Sequence, residues 1–257
     1  MVHGVGLNAS AWAPQIEEFS AQYRVIAYDT LGHGGSALPP AGATLEDYAA
    51  QLSSLLDYLG IDQAILLGHS LGALIATLFS LDRPERVLGL IAANPVYRRS
   101  DAQLAMSGAR VRLLEEHGSG AALDEALLRW FGTPPSFDAP PVRRVRQWIS
   151  RANPQGYARA YRVFTEADPW LDGRLDKLAV PALFVTGGLD PNSTPEMART
   201  MAEEAPFGQS VVLPRERHMM AYISPDRFNT VIREFLDGMQ ASPAGKQTRP
   251  GQRVEQA

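Results

Sequence analysis

One serine, Ser70, lies between two glycines at the junction of a strand pattern and a helix pattern. An apolar run at residues 65–67 leads into a Gly-x-Ser-x-Gly pentapeptide at 68–72, and apolar residues at helical spacing follow. This order predicts a strand, a strained turn that exposes the serine, and a helix, because larger residues at 68 and 72 would clash with strand or helix. The helix N-terminus would direct N–H groups toward a developing oxyanion. The alternative is a tight structural turn with a solvated serine.

Uninterrupted apolar runs alternate with helical patterns along much of the chain. Strands without polar alternation are typical of parallel sheets that helices cover on both faces. The fold class predicted is therefore α/β, with a doubly wound, mostly parallel sheet. The predicted strands cover residues 24–29, 63–68, 87–93, 180–186 and 209–213. The predicted helices of this part cover 11–21, 44–59, 71–82, 195–205 and 225–238.

The rhythm changes between residues 96 and 172, where no strand pattern is evident. Helical stretches at 100–117, 121–131, 140–152 and 155–166 are separated by Gly and Pro. We interpret this part as a helical lid inserted into the core. Residues 1–95 and 173–240 would form the two parts of the core. Residues 241–257 lack apolar periodicity and are predicted to be a disordered tail.

Composition excludes several classes of function. The 257 residues carry a net charge of −4, which gives no electrostatic case for nucleic acid or an anionic membrane. There is no cysteine, so disulfides, thiol catalysis and thiolate metal sites are excluded, and no two histidines have metal-site spacing. No signal peptide and no apolar run near the ~20 residues of a membrane span are present. We expect a cytoplasmic protein with no cofactor, a small-molecule substrate as its partner, and a homodimer as an open alternative.

Two residues at strand ends are candidate partners of Ser70. Asp190 follows the strand predicted at 180–186, and His218 follows the strand predicted at 209–213. Alone, each is better explained as a turn aspartate before proline or a surface histidine. Parallel strands place their carboxyl ends at one edge, where ligands bind. The three residues together predict a catalytic triad in which His218 is the base and Asp190 orients it.

Acyl transfer also needs two N–H donors for the oxyanion. Leu71, directly after the serine, can supply one of them. The loop His3-Gly4-Val5-Gly6 can supply the other, and Val5 is the residue that we expect to do so.

Five motifs together resemble the α/β-hydrolase superfamily over essentially the whole chain except the tail. They are His3-Gly4-x-Gly6, Asp29-x-x-Gly32-His33-Gly34-x-Ser36, Gly68-His69-Ser70-Leu71-Gly72, Gly188-x-Asp190 and His218. The lid phrases Arg129-Trp130-Phe131 and Asn153-Pro154-Gln155-Gly156-Tyr157 resemble 3-oxoadipate enol-lactonases. This second resemblance implies a small anionic lactone whose carboxylate meets lid arginines, and the candidates are Arg98, Arg99, Arg129 and Arg162. Trp130 and Phe131 either line an acyl pocket or pack the lid onto the core, and we expect packing for at least one.

The expected function is a serine hydrolase that cleaves a small ester or lactone through an acyl-enzyme, with an anionic enol-lactone among the candidates. Arg129 and Trp130 are the expected substrate-binding residues. One alternative uses the same triad to hydrolyse a carbon–carbon bond of a dienoic diketone. Another is a non-catalytic homologue that binds a ligand with negligible turnover.

The N-terminus departs from the superfamily pattern. There, two strands and most of a third precede the His-Gly loop, and the third lies between the strands at 24–29 and 63–68. Here only Val2 remains of it, which would leave backbone groups unpaired and the loop at 3–6 almost unanchored. We therefore expect the native chain to start upstream of Met1, by roughly one β-hairpin plus a strand.

Overall fold

A parallel sheet runs through the centre of the molecule in a computed structural model that describes residues 1–132 and 139–241. Its strands are β1 (Ala64–His69), β2 (Val87–Ala93), β3 (Ala182–Gly187) and β4 (Gly208–Leu213), in the spatial order β1-β2-β3-β4. All three pairings are parallel. The predicted α/β fold class is confirmed, and the carboxyl ends of the four strands meet at one edge.

Helices cover both faces of this sheet. The core part contains α1 (Ala13–Phe19), α2 (Leu45–Tyr58) and α3 (Leu71–Asp82) before the insertion. After the insertion come α9 (Pro195–Glu204), α10 (Met220–Ile223) and α11 (Pro225–Ala241). Successive strand residues point to opposite faces. Leu66, Leu90 and Phe184 therefore join one core with α2, α3 and α9, while Leu67, Ile91 and Leu183 join a second with α1 and α11.

Helices also fill the long segment between β2 and β3. They are α4 (Asp101–His117), α5 (Leu123–Phe131), α6 (Pro140–Arg151), α7 (Pro154–Thr165) and the short α8 (Asp168–Leu171). Most of these helices begin where the sequence provides a cap or a proline. Ser100 and Asn153, for example, accept hydrogen bonds from the N–H groups of Gln103 and Gly156.

The inserted helices touch the core at a backbone contact of two glycines. A Cβ atom on Gly32 would lie 2.8 Å from the carbonyl oxygen of Gly156 on α7. One residue further along α7, the ring of Tyr157 covers Gly6, where a Cβ atom would come within 2.5 Å of the ring. The first turn of α7 is therefore held against two loops of the core.

The strand predicted at residues 24–29 is wrong. This segment is half-buried rather than buried, and Tyr28 makes its single β-bridge, to Val2. Val2 also bridges β1: its N–H donates to the oxygen of Leu67 over 2.8 Å, and its oxygen accepts from His69 over 2.9 Å. The expected position of Val2, between segment 24–29 and the elbow strand, is confirmed. A strand forms only where neighbours satisfy its backbone groups, and one bridging residue satisfies few of them.

The end of the chain is described as far as residue 241. Ala241, placed in the predicted tail, is the last residue of α11, and the tail predicted over 242–257 lies outside the described residues. In the ranges 1–132 and 139–241, no helix combines the length and the apolar character needed to cross a membrane.

Candidate functional site

Ser70 occupies a strained turn between β1 and α3. Its φ of 53° and ψ of −118° lie in a region that non-glycine residues rarely adopt, and its N–H donates to the oxygen of Ala93 over 2.9 Å. The flanking glycines are required by close backbone contacts. A Cβ atom on Gly68 would overlap the carbonyl oxygen of Gly72, and one on Gly72 would overlap that of Val2. The elbow predicted from the pentapeptide is therefore confirmed.

Asp190 and His218 meet at the carboxyl ends of β3 and β4. The His218 Nδ1–H donates to Asp190 Oδ2 over 2.7 Å, and both side chains are buried. Burial favours the neutral acid, but the interaction with His218 and donors from Asn192 and Asn94 outweigh it and hold the pKa of Asp190 below its usual value. The carboxylate is thus ionised and oriented toward the imidazole.

Ser70 and His218 line one cavity at this edge of the sheet. Its volume is ≈ 130 Å³, and Val5, Arg99 and Trp130 are also among its lining residues. With Nδ1 bonded to Asp190, the other ring nitrogen of His218, Nε2, carries the free lone pair. The structure therefore brings the three predicted triad residues to one edge, and two of them to one cavity.

His69 connects the elbow to the loop of His218. Its Nε2–H donates to the backbone oxygen of His218 over 2.8 Å, and the two ring centroids are 4.9 Å apart. Burial lowers the pKa of His69 to about 3, so the imidazole is neutral. This neutral histidine therefore ties the elbow to the backbone of the His218 loop.

The two candidate oxyanion donors flank Ser70. Leu71 is the first residue of α3, where an N–H has no partner inside the helix. Val5 lines the cavity and belongs to a turn that the N–H of Leu7 closes by donating to the oxygen of Gly4 over 3.2 Å. A Cβ atom on Gly4 would lie 3.0 Å from the Cβ atom of Ser70, so this loop packs directly on Ser70.

The expectation that the oxyanion loop is almost unanchored is wrong. His33 Nε2 accepts a hydrogen bond from the N–H of Gly6 over 2.9 Å, and Asp29 Oδ1 accepts one from Ala9 over 2.8 Å. His3, inside the loop, accepts from the N–H of Thr30 over 3.0 Å. The Asp29–Ser36 motif thus holds the loop through side chains. These bonds anchor the loop in addition to the two bridges of Val2.

Some of the arginines that the sequence suggested line the cavity, and others do not. Arg99, Arg110 and Arg129 line it. Arg98 is exposed and pairs with Asp172 and Glu204, while Arg162 is exposed and pairs with Glu115 and Glu166. The structure thus places Arg98 and Arg162 outside the candidate site, although the resemblance included them. Arg110 was not among the sequence candidates.

Two of the cavity arginines retain unused hydrogen-bond donors. Arg99 is clamped by Asp168, to which Nε donates over 2.8 Å, and by the backbone oxygens of Phe164 and Thr165. Its Nη1 is buried without a hydrogen-bond partner among the residues described, and the same holds for Nε of Arg129. A buried donor without an acceptor is costly, and both of these donors belong to residues that line the cavity.

Trp130 covers the imidazole of His218. The two rings stack with centroids 5.8 Å apart and planes inclined by 26°. Phe131 packs in the apolar cluster of the inserted helices with residues such as Val142 and Val145, and Trp130 belongs to the same cluster. Packing is therefore a role of both residues, and Trp130 lines the cavity as well.

Sequence reasoning missed Asn94. It directly follows β2, and its Nδ2 donates to Asp190 Oδ2 over 2.8 Å. The available signal was its position, since it follows an apolar strand at the same edge as the triad candidates. For the described ranges, no group of three or more His, Cys, Asp or Glu side chains is arranged to hold a metal ion.

Known proteins resemble this chain in sequence and in structure. The sequence model of the alpha/beta hydrolase family matches residues 1–231. An (E)-2-((N-methylformamido)methylene)succinate hydrolase from Acinetobacter baylyi is 37% identical, over 92% of this chain and 89% of its own length. The 3-oxoadipate enol-lactonase 2 of the same organism is 30% identical, over 91% of this chain and 86% of its own length.

Two solved structures show the same architecture. A thermophilic esterase from Thermogutta terrifontis, with malate bound, is 30% identical and superimposes with a TM-score of 0.83 over 93% of this chain and 88% of its own. The enol-lactonase from Burkholderia xenovorans is 26% identical, with a TM-score of 0.84 over 92% of this chain and 89% of its own. Together with the elbow, the parallel sheet and the family match, these likenesses show that the chain belongs to the alpha/beta hydrolase family.

Proposed function

We propose that the protein is a cofactor-independent serine hydrolase that cleaves a small ester or lactone through an acyl-enzyme. The observation that carries the proposal is the buried hydrogen bond of 2.7 Å between His218 Nδ1 and Asp190. It fixes the tautomer in which Nε2 is the base, on a ring that lines the same cavity as Ser70.

Acylation begins when the Ser70 Oγ attacks the carbonyl carbon of the substrate while its proton passes to His218 Nε2. The negative charge that develops on the carbonyl oxygen is stabilised by the N–H groups of Val5 and Leu71. Collapse of the tetrahedral intermediate breaks the bond between the carbonyl carbon and the leaving oxygen. That oxygen takes the proton from His218, and Asp190 stabilises the imidazolium in between.

Deacylation repeats the steps with water. His218 takes a proton from the water as its oxygen attacks the acyl carbon, and the same two N–H groups bind the oxyanion. The bond to Ser70 then breaks, and Oγ recovers its proton from His218. With a lactone the leaving oxygen stays attached to the acyl group, so one hydroxy acid is released.

Arg129 and Trp130 are the proposed substrate-binding residues. Trp130 forms an apolar wall over the base, and Arg129, whose Nε is buried without a partner among the residues described, lines the same cavity. The succinate derivative after which the Acinetobacter hydrolase is named and the malate bound to the Thermogutta esterase both carry carboxylates, which supports an anionic substrate. An anionic enol-lactone therefore stays among the candidate substrates.

Replacement of Ser70 by Ala tests the mechanism. We expect Ser70→Ala to lose turnover of 4-nitrophenyl acetate and labelling by a fluorophosphonate probe, with an unchanged circular dichroism spectrum. Removal of a triad member costs about 10⁴-fold or more in kcat. Ser54→Ala, on the exposed face of α2, is the matched control and should keep both activities.

The alternatives give different results in the same assay. Persistent turnover by Ser70→Ala would contradict the proposed nucleophile. Labelling of Ser70 without multiple turnover of any ester, lactone or diketone would instead support the ligand-binding homologue. Hydrolysis of dienoic diketones but not of esters would support the carbon–carbon hydrolase.

A further inference from the structure

Asn94 shares a carboxylate oxygen with the histidine of the proposed triad. The Asn94 Nδ2 lies 2.8 Å from Asp190 Oδ2, the oxygen that also accepts from His218 Nδ1 over 2.7 Å. The other oxygen, Oδ1, accepts from the N–H of Asn192 over 2.9 Å. Two of the three donors on this buried carboxylate therefore converge on one oxygen.

The conformation of Asn94 carries two costs. Its φ is 49°, in the left-handed region. Among the described residues other than glycine, the only others with a positive φ are Ser70 and Arg98. The side chain is fully buried, and its Oδ1 has no hydrogen-bond partner among the residues described. Backbone strain and an orphaned buried acceptor are characteristic of functional sites, where the geometry serves the site rather than stability.

The backbone around Asn94 leaves its side chain little choice of direction. Its N–H donates to the oxygen of Val185 on β3 over 2.8 Å, and its own oxygen accepts from the Ser193 hydroxyl over 2.6 Å. Thr186 Oγ1 donates in turn to the oxygen of Ser193 over 2.6 Å. The ends of β2 and β3 and the segment after Asp190 thus form one hydrogen-bonded unit that aims the amide at the carboxylate.

We propose that Asn94 is the positioning residue of Asp190, which fixes the rotation of the carboxylate so that Oδ2 points at His218 Nδ1. This inference rests on the proposed function, because it assigns a role within the same triad. Asn94 therefore acts through Asp190 and does not touch the substrate.

Other charged groups near the pair stay constant when Asn94 changes. The neutral His69 contacts the backbone and ring of His218. The cavity side carries Arg99, Arg110 and Arg129, which pair with Asp168 and Glu125. A shift of the pH profile in an Asn94 variant therefore reports the lost donor at Asp190.

Asn94→Gly is the primary test, since glycine adopts the left-handed conformation without strain and removes only the amide. We expect kcat on 4-nitrophenyl acetate to fall about tenfold, which corresponds to one hydrogen bond to a charged group, while KM changes less than about twofold. The acid limb of kcat/KM should move to lower pH, because a carboxylate that is free to rotate stabilises the imidazolium less.

Ser80→Ala is the matched control. It removes a buried hydroxyl on α3 that donates to the oxygen of Ala76 over 2.7 Å and leaves the bonds of Asn94 and every donor of Asp190 in place. If Asn94 served the fold alone, both variants would lower Tm and neither would move the pH profile. We expect only Asn94→Gly to move it.

Two further measurements keep the outcome decisive. If Asn94→Gly does not fold, Asn94→Asp has the same size and sets a second carboxylate against Asp190, so the acid limb should move to higher pH instead. The downfield proton resonance of His218 Nδ1 should broaden in Asn94→Gly and persist in Ser80→Ala, whether or not the protein turns over esters. If the wild-type protein does not turn over esters, the proposed function is overturned but this inference is not. An unchanged resonance and an unchanged pH profile in the Asn94 variants would overturn this inference.

Discussion

Three arginines beside Ser70 give the cavity a positive charge. Glu125 pairs with both Arg110 and Arg129, and Asp168 pairs with Arg99, so two carboxylates meet three guanidinium groups. Although burial opposes it, Arg110 and Arg129 hold the pKa of Glu125 below its usual value. Glu125 thus stays ionised near neutral pH, and one positive charge remains for a substrate.

This imbalance predicts a preference for esters that carry a carboxylate. Mono-4-nitrophenyl glutarate should have a kcat/KM about tenfold or more above that of 4-nitrophenyl pentanoate, its neutral counterpart, since a charge-assisted hydrogen bond contributes about 1.5–3 kcal/mol. Arg129→Met should remove most of this preference, with a smaller loss on the neutral ester. Steady-state kinetics with the two esters measures both effects.

The control for this experiment is Arg98→Met, an exposed arginine whose ion pairs lie with Asp172 and Glu204. It should retain the preference. Equal kcat/KM values for the two esters in the wild type, or an equal loss on both in Arg129→Met, would show that Arg129 does not bind the carboxylate.

At the scale of elements, the turn between β1 and α3 depends on contact between backbones. Gly72, in the first turn of α3, faces the carbonyl of Val2, the residue that bridges β1 and Tyr28. Gly72→Ala should destabilise the protein by about 3 kcal/mol or more, because neither backbone can yield without breaking the bridge. Urea unfolding followed by circular dichroism measures the loss.

A second glycine in a helix provides the comparison. Gly238 lies in α11, and a Cβ atom there would have no neighbour within 4 Å. Gly238→Ala should therefore raise the free energy of unfolding by about 0.5–1 kcal/mol through helix propensity alone. If both substitutions changed stability alike, close contact would not be the reason for glycine at position 72.

The sequence predicted those elements whose signal is local. Strands β1 to β4 and their helices begin and end within about three residues of the predicted positions, because a buried strand and an amphipathic helix each carry their own apolar pattern. Residues 24–29 carry such a pattern as well, yet they form no strand. Pairing depends on neighbours that the segment's own sequence does not encode.

In the site, too, the residues with a local sequence signal were the ones that could be predicted. Ser70, Asp190 and His218 follow strand patterns, so topology places them at one edge. The bond from Asn94 to Asp190 depends on a left-handed backbone, and the bond from Gly6 to His33 joins two loops. Neither leaves a periodic pattern in the sequence, so the structure was needed to find them.

For the whole molecule, three buried histidines make stability depend on pH. Burial lowers the pKa of His33 to about 4 and that of His69 to about 3, and it lowers the pKa of His3 well below 6.5. In the unfolded chain these groups would take up protons near pH 6.5. The folded state does not, so their neutral form favours folding fully above that pH and progressively less below it.

The free energy of unfolding should fall between pH 6 and pH 4. Each histidine contributes a slope of up to about 1.4 kcal/mol per pH unit, because one more proton is bound in the unfolded state. Urea unfolding at several pH values measures the slope. His33→Gln should reduce this slope by up to about 1.4 kcal/mol per pH unit, because the unfolded chain then takes up one proton fewer. Constant stability from pH 7 to pH 5 would contradict the buried, neutral state of these rings.

The contact between Gly32 and Gly156 limits how the lid of this protein can be exchanged. A lid taken from another enzyme would bring its own residue to position 156, and any side chain there would collide with the Gly32 backbone. The residue after it would also replace Tyr157, which covers Gly6 in the oxyanion loop. A chimera designed only for a new cavity would therefore disturb the loop beside the nucleophile. The lid and the loop at residues 3–6 pack against each other, so an engineer has to transfer both of them together.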